Sequence, residues 1–295
     1  MSTLEVTLLG TGSPLPSTTR CGGGQVVRGG DALILIDCGW GVARRMQQAA
    51  IRTPDLDAVF FTHLHSDHIT DFADLLMTGW TGGRTSPLPV YGPAGTRETV
   101  EGFQQALKAD VGYRIAHHGD KLWSGALACD VHEVAATDDA QVIARIGDLE
   151  VSAFLVDHHP VKPAFGFKVA RGGRTVVFSG DTVKCDSLVR ASKDADILVC
   201  EAFNYELMDR RTALLRQMGN AHVASLLDDA KDYHIQPKEA AEVAAEANVK
   251  RLVLTHVIPP IDPGADELTE WAAGMGDIYT GPITIGKDLD RYQLD

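Results

Sequence analysis

Three histidines and an aspartate lie within six residues of one another, from His63 to His68. The apolar run 58–61 leads directly into them and is typical of a short buried strand. His63 and His65 are two residues apart at the end of that run, so both side chains would point the same way. Asp67 and His68 follow on the turn into a predicted helix. Neutral imidazoles together with a carboxylate are suitable ligands for zinc or a similar borderline metal.

Four further polar residues each follow an apolar, strand-like segment later in the chain. They are His158, Asp181, Glu201 and His256. Such a recurrence is expected of a site built at one rim of a sheet. A polar turn that happens to be rich in histidine would explain residues 63–68, but it would not explain the four later positions.

The histidine cluster, taken with His158, Asp181 and His256, resembles the metal motif of the metallo-β-lactamase superfamily. Within that superfamily the chain is most similar to the ribonuclease Z and arylsulfatase branch, from Leu4 to about Ile285. The segments that match this branch are Leu9–Pro14, Ile36–Gly39, Ser179–Thr182, Glu201–Ala202 and Leu254–His256. The resemblance implies an α/β (α+β) fold, a four-layer αββα sandwich, with residues 1–295 as a single domain. Periodicity alone indicates only a mixed α/β chain.

The resemblance also implies two zinc ions per chain. A hydroxide between the metals, its pKa lowered to roughly 7, would be the nucleophile, and Asp67 would help to orient it. His159 neighbours His158 and is an alternative ligand, although the family pattern favours the first histidine of the pair. The implied ligands are His63, His65 and His158 for one ion, Asp67, His68 and His256 for the second, and Asp181 as the bridge between them.

Glu201 and His222 look like a glutamate and histidine pair that helps to protonate the leaving group in ribonuclease Z-like enzymes. A histidine with a carboxylate partner can hold and release a proton near neutral pH. The alternative for His222 is a capping or surface histidine at the start of a helix. For His117 and His118, which do not follow a strand, a surface loop is the favoured interpretation.

The acidic charge balance argues against a general nucleic-acid surface. The net charge is −13, whereas a phosphate-binding surface needs a positive field. Two arginine pairs, Arg44–Arg45 and Arg210–Arg211, are candidates for local basic patches, but a solvated helix face is favoured for both. No apolar run approaches the roughly 20 residues of a membrane span, and no secretory signal is recognised. Five scattered cysteines form no disulfide framework, so a cytoplasmic location is expected.

Two departures from the family pattern favour a small-molecule ester as substrate. Bacterial ribonuclease Z usually inserts a long arm that grips tRNA between the positions of His158 and Asp181, and this chain has only a short stretch there. In addition, Cys21 stands where that enzyme tends to carry asparagine. Phosphodiester or aryl sulfate hydrolysis is therefore expected, with tRNA 3′ processing or lactone and β-lactam hydrolysis as alternatives. A homodimer is possible by analogy alone.

The remaining pattern predicts how strands and helices support this rim. Asp37 ends a predicted strand and is expected to hold the loop of the metal motif by hydrogen bonds. Pro237 fits the first turn of a predicted helix. The predicted helices span residues 40–50, 94–109, 186–195, 205–218, 222–232 and 237–247, with another around Phe72–Trp80, and residues 112–126 receive no assignment.

Overall fold

The computed structural model of the protein describes residues 3–261 and 270–295. Within these ranges the strands form two sheets of seven strands each. In chain order the strands are β1 (Leu4–Gly10), β2 (Gly24–Gly29), β3 (Ala32–Ile36), β4 (Ala58–Phe60), β5 (Leu88–Gly92), β6 (Cys129–Glu133), β7 (Gln141–Ile146), β8 (Leu149–His158), β9 (Val161–Arg171), β10 (Arg174–Phe178), β11 (Ile197–Phe203), β12 (Leu252–Ile258), β13 (Ile283–Ile285) and β14 (Arg291–Leu294). The first sheet has the order β14-β1-β2-β3-β4-β5-β6 and the second β13-β12-β11-β10-β9-β8-β7.

Helices connect the strands and cover the outer faces of both sheets. They are α1 (Val42–Gln48), α2 (Ser66–Ile69), α3 (Phe72–Thr81), α4 (Thr96–His118), α5 (Asp186–Ala191), α6 (Tyr205–Gln217), α7 (Ala221–Asp229) and α8 (Pro237–Glu246). α1 and α3 pack on the first sheet through Met46 and Phe72, and α5 and α8 pack on the second through Leu188 and Val243. Among the described residues, no helix combines the length and the apolar character needed to cross a bilayer.

The two sheets pack face to face, which confirms the four-layer αββα sandwich. Ile34 and Phe60 of the first sheet share one buried cluster with Phe165 and Val176 of the second. β3 shows how the sequence specifies these layers, because successive side chains of a strand point to opposite faces. Its even positions join the cluster between the sheets, and its odd positions join the helix-covered cluster. Every residue of β3 is therefore buried, as expected for a strand covered on both faces.

The connections bring the carboxyl ends of several strands to one rim. β3, β4, β5 and β6 are parallel to one another, and so are β10, β11, β12 and β13. β8 runs antiparallel to β9, and β9 runs antiparallel to β10, so β8 and β10 point the same way. Residues that follow β8 and β10 therefore lie at the same edge of the second sheet, and the residues that follow β4 in the first sheet lie beside them.

The largest difference from the predicted elements is the length of α4. The pattern predicts a helix over 94–109, whereas α4 continues to His118. Its second half is largely exposed, with Tyr113 at 73% exposure, so apolar periodicity is weak there. The helices predicted at 205–218, 222–232 and 237–247 correspond to α6, α7 and α8, and Pro237 begins α8 as expected. The single-domain assignment of residues 1–295 stays a prediction.

Candidate metal centre

The histidine cluster lies where the pattern placed it, just beyond a strand. β4 ends at Phe60, and His65 is the residue before the short helix α2, whose first turn carries Asp67 and His68. His158 is the last residue of β8. Asp181 follows β10 by three residues.

His256 reaches the site through a bulge in β12. Glu201 pairs with Thr255 and Ala202 pairs with Val257, so His256 is the extra residue on its strand. Its φ of 45° lies in the left-handed region, which is uncommon for a residue other than glycine. A bulge of this kind redirects a side chain. Here it accompanies the placement of the imidazole among residues of the first sheet.

The structure brings all seven expected ligands together. One group contains His63, His65, His158 and Asp181, and a second contains Asp67, His68 and His256. Asp181 lies between them. Its Oδ2 is 3.7 Å from His63 Nε2, 3.3 Å from His68 Nε2, 3.9 Å from His158 Nε2 and 3.4 Å from His256 Nε2.

These spacings fit metal coordination. Ligand atoms about 2.0–2.1 Å from a tetrahedral zinc lie roughly 3.3 Å from one another. His158 Nε2 is 3.3 Å from His65 Nδ1, and His256 Nε2 is 3.1 Å from Asp67 Oδ2. The Nε2 atoms of His63 and His68 are buried and have no hydrogen-bond partner within the protein. Buried polar atoms are rarely left unpaired, so the cluster is a site for a divalent metal.

Outer hydrogen bonds fix how the histidines face the centre. His68 Nδ1 lies 2.8 Å from Asp37 Oδ2, and His158 Nδ1 lies 2.9 Å from the carbonyl oxygen of Tyr233. Each acceptor holds a hydrogen on Nδ1 and leaves Nε2 as the metal-binding nitrogen. Asp37 also accepts hydrogen bonds from the backbone and hydroxyl of Thr62, at 2.9 and 2.8 Å. The predicted role of Asp37 in holding this loop is confirmed.

The electrostatics of the centre favour a positive charge inside it. Burial lowers the pKa of His63 well below its usual range, and it also lowers the pKa of His158. Neutral imidazoles are the form that binds metal. His68 differs from the other two, because burial is outweighed by Asp181, Asp67 and Asp37, which raise its pKa well above the usual range, so a metal bound there would displace its proton. Burial alone would raise the pKa of Asp181, but His256 and His68 hold it well below its ordinary value. For Asp67, burial is likewise outweighed by His68 and His256, which lower its pKa to about 2. Both carboxylates are therefore ionised and ready to bind a cation.

Glu201 is paired with His234, so the predicted pairing of Glu201 with His222 is wrong. His234 Nδ1 lies 2.8 and 2.9 Å from the two carboxylate oxygens of Glu201, and both side chains are buried. Burial lowers the pKa of His234, and burial together with Asp181 raises the pKa of Glu201 well above its usual range. His222 is exposed in the first turn of α7. The order of residues along the chain allowed either histidine.

A local signal for His234 exists in the sequence. His234 stands two residues before Gln236, the N-cap of α8, which forms a capping box with Glu239, and Pro237 is at the first helical position. His222 has no comparable cap, because the residue before its helix makes no side-chain capping bond.

The other histidines and arginines that the sequence singled out lie outside the cluster. His158 is buried within it, whereas its neighbour His159 is exposed. His117 and His118 are exposed, at the end of α4 rather than in a loop. Arg44, Arg210 and Arg211 are exposed as expected. For Arg45 the solvated interpretation is wrong, because its Nε donates to the buried carboxylate of Asp288 at 2.9 Å.

Comparison with known proteins places this geometry in a family. A family model described as a beta-lactamase superfamily domain matches residues 33–257. A ribonuclease Z of Mycobacterium bovis is 39% identical over 297 aligned residues, which cover 99% of this chain and 98% of that protein. A ribonuclease Z of Mycolicibacterium gilvum is 37% identical, covering 99% of this chain and 96% of its own.

Solved structures are similar over the same length. The short form of human tRNase Z superposes with a TM-score of 0.69 at 25% identity, covering 98% of each chain. A metallo-β-lactamase fold protein from Bacillus subtilis superposes with a TM-score of 0.72 at 22% identity, covering 99% of this chain and 100% of that one. The second likeness concerns the fold alone.

Proposed function

This chain belongs to the beta-lactamase superfamily and is a metal-dependent hydrolase, and from that premise we propose that it processes the 3′ ends of precursor tRNA. The observation that carries the proposal is 39% identity, over nearly the whole of both chains, to a protein named ribonuclease Z. The likeness to the human tRNase Z supports the same substrate class. This order reverses the expectation from sequence, which preferred a small ester and argued against nucleic acid.

The missing arm does not count against tRNA. β8 and β9 are joined by a tight turn, with His158 paired to Val161, so no arm extends from this hairpin. However, the alignment with the Mycobacterium bovis protein spans 297 positions for a chain of 295 residues. That relative therefore has no room for a long insertion either. A protein named ribonuclease Z therefore lacks a long arm as well. The short hairpin gives little reason to prefer a small ester over tRNA.

We assign the seven clustered side chains to two zinc ions. His63, His65 and His158 would hold one ion, and Asp181 would lie between the two sites. When bound, zinc would act as a Lewis acid. It would stabilise the negative charge that develops on the phosphate under attack, and it would lower the pKa of a bound water to about 7. The remaining members of the set, which would hold the second ion, are Asp67, His68 and His256.

The chain's own residues would supply orientation and a proton. One oxygen of Asp67 lies 3.1 Å from His256 Nε2, and its other oxygen would accept a hydrogen bond from the attacking water. With Glu201 accepting the hydrogen on Nδ1, a His234 imidazolium would carry its second proton on Nε2 and pass it to the departing 3′ oxygen. Burial lowers the pKa of His234, so the negative charge of the bound phosphodiester would have to stabilise that second proton. His234 therefore takes the role that the sequence gave to His222, with Glu201 as the residue that orients it.

Cleavage of precursor tRNA tests the proposal. Zinc-loaded protein is expected to release the 3′ trailer from a precursor and to leave a tRNA without a trailer intact. Cleavage should weaken steeply as salt rises, because phosphate contacts release counterions. Turnover of bis-aryl phosphate, aryl sulfate, lactone or β-lactam substrates, with no cleavage of the precursor, would overturn the assignment of tRNA.

A small phosphodiester or aryl sulfate is the second candidate, because acidic charge repels a small monoanion less than it repels a polynucleotide. A cavity of about 620 Å³ lies between the end of the β8–β9 hairpin and the start of α5, and none of the seven clustered side chains lines it. Its lining contains Asp138, Asp157 and Asp186 but only one cation, Lys162. This part of the rim would repel a polynucleotide backbone. The same substrate panel distinguishes the two candidates.

A further inference from the structure

We propose that Asp288 is a positioning residue for the metal centre, which it reaches through residues 11–23, here called the rim loop. The inference rests on the metal site of the proposed function but not on the choice of substrate. Asp288 lies between β13 and β14, far along the chain from every ligand in the histidine cluster. It makes no direct contact with a ligand in the hydrogen bonds described for it, so its effect must pass through the rim loop.

Asp288 anchors the rim loop, because each of its two carboxylate oxygens accepts two hydrogen bonds. Its Oδ1 accepts hydrogen bonds from the backbone and hydroxyl of Thr11, at 3.0 and 2.8 Å. Its Oδ2 accepts from the backbone of Cys21 at 2.8 Å and from Arg45 Nε at 2.9 Å. The side chain is only 3% exposed. Hydrogen bonds to an ionised carboxylate are strong, and in a buried setting they are stronger still.

Arg20 ties the same two segments together a second time. Its Nη1 donates to Thr11 Oγ1 and to the carbonyl oxygen of Gly286, both at 2.6 Å. The hydroxyl of Thr11 therefore accepts from Arg20 and donates to Asp288. Both ends of the rim loop are in this way fixed to residues 286–288.

The rim loop in turn contacts His68 on one side and the residue after His256 on the other. The carbonyl oxygen of Thr11 accepts from the amide of Val257 at 2.9 Å, the residue directly after His256. On the other side, Gly23 lies against the imidazole of His68, since a methyl group at Gly23 would be 3.3 Å from its Cε1. The loop is thus packed between the bulge of the second sheet and the histidine cluster of the first.

The contact at Val257 explains why this anchor matters. A residue other than glycine keeps a left-handed conformation only where its surroundings hold it there. His256 has such a conformation, and the amide of the next residue is held by Thr11. Loss of Asp288 would free Thr11 and allow His256 to relax. Residues that orient ligands from outside the coordination shell commonly change metal affinity by about 10–100-fold.

Zinc affinity of the full chain tests the inference. Asp288→Asn and Thr11→Val are each expected to weaken zinc binding about tenfold in competition with a chromophoric chelator. Thr11→Ser keeps the hydroxyl and should bind zinc as the native protein does. Asp290→Asn is the matched control, because it removes the same charge from the same segment, where Asp290 accepts from the exposed amide of Lys287.

Amide exchange separates a positioning role from a merely structural one. The Val257 amide should exchange faster in Asp288→Asn and Thr11→Val, while amides of β10 keep their native protection. Native zinc affinity in both variants, or a uniform loss of protection without a change in affinity, would overturn the inference. If Asp288→Asn does not fold, Thr11→Val against Thr11→Ser decides. If the native chain binds no zinc, the proposed function fails. The role of Asp288 is then judged from the Val257 amide alone, whose exchange should still be faster in Asp288→Asn and Thr11→Val than in the native protein.

Discussion

His234 Nδ1 lies 2.8 Å from Glu201 Oε1 and 2.9 Å from Oε2, and only 1% of Glu201 and 5% of His234 are exposed. One imidazole nitrogen therefore faces both oxygens of a single buried carboxylate. Glu201 comes from β11, and His234 comes from the segment before α8. The pair forms beside Asp181, whose Oδ2 is 4.0 Å from the same nitrogen.

Removal of this imidazole should slow turnover in a way that depends on the leaving group. His234→Ala is expected to lower kcat by about 10²–10⁴-fold on a substrate with an alkoxide leaving group, the usual contribution of a general acid. A nitrophenolate leaves without protonation, so the loss on a bis-nitrophenyl phosphate should be much smaller. Steady-state rates on both substrates provide the measurement. His222→Ala, at an exposed position, is the control and should keep native rates; equal losses on both substrates would argue against proton transfer by His234.

Loss of a ligand should remove both metal and activity. His65→Ala is expected to retain at most one zinc per chain and to lose hydrolysis, because His65 Nδ1 lies 3.3 Å from His158 Nε2 in the first group of ligands. His159→Ala changes an exposed histidine of the same rim and should keep native metal content. Metal analysis by mass spectrometry, run beside the rate measurement, checks both variants. Native rates in a metal-depleted His65→Ala protein would refute metal-dependent chemistry.

Asp196 should stabilise the fold at neutral pH but not in acid. Burial would raise its pKa, but Lys250 Nζ at 2.7 Å and the Thr175 amide at 2.8 Å lower it below the ordinary value. A carboxyl whose pKa is lower in the folded state adds stability above its unfolded pKa of about 3.9 and loses it as pH falls. Asp196→Asn should therefore lower the free energy of unfolding most at pH 7.

Urea unfolding of native and variant protein at pH 7 and pH 3.5 measures that difference. The gap between the two proteins should narrow in acid, and because both lose metal in acid, metal release cancels from the comparison. Asp55→Asn, in an exposed pair with Arg52, should show only a small gap at both values. A gap for Asp196→Asn that stays constant with pH would contradict the expected linkage.

The same substitution should have opposite effects at two glycines. Gly166 lies opposite Phe154 in the β8–β9 register, and a methyl group there would overlap the phenyl ring. Gly166→Ala should cost about 1–3 kcal/mol of unfolding free energy. Gly102 faces open space within α4, so Gly102→Ala should add about 0.5–1 kcal/mol. Thermal and urea unfolding measure both, and a stabilised Gly166→Ala protein would show that the ring moves aside freely.

The metal cluster was predictable because its chemistry follows apolar strands. The apolar runs before His158 and Asp181 indicated that both lie at the ends of strands, and the family resemblance supplied their roles as ligands. His234 was missed because the segment before it is polar and helical, without an apolar run to mark it. His222 offered the same residue type earlier along the chain, and the order of residues did not take account of the capping box that follows His234.

Long-range polar contacts were beyond the reach of sequence patterns. Asp288 is one carboxylate among 40 acidic residues, and its neighbours in sequence reveal nothing about Thr11. The exposed second half of α4 was missed for a related reason. Its residues bury little, so the hydrophobic period of Val100, Phe103, Leu107 and Val111 fades in the last turns of the helix.

The bond between Thr11 and Asp288 spans 277 positions of the chain. On the ribosome, all seven predicted metal ligands are therefore made before the acceptor that anchors the rim loop. Contacts so distant in sequence form slowly, because a large loop must close first. A nascent chain would thus contain all of its predicted ligands before Asp288 exists to fix the rim loop beside His256.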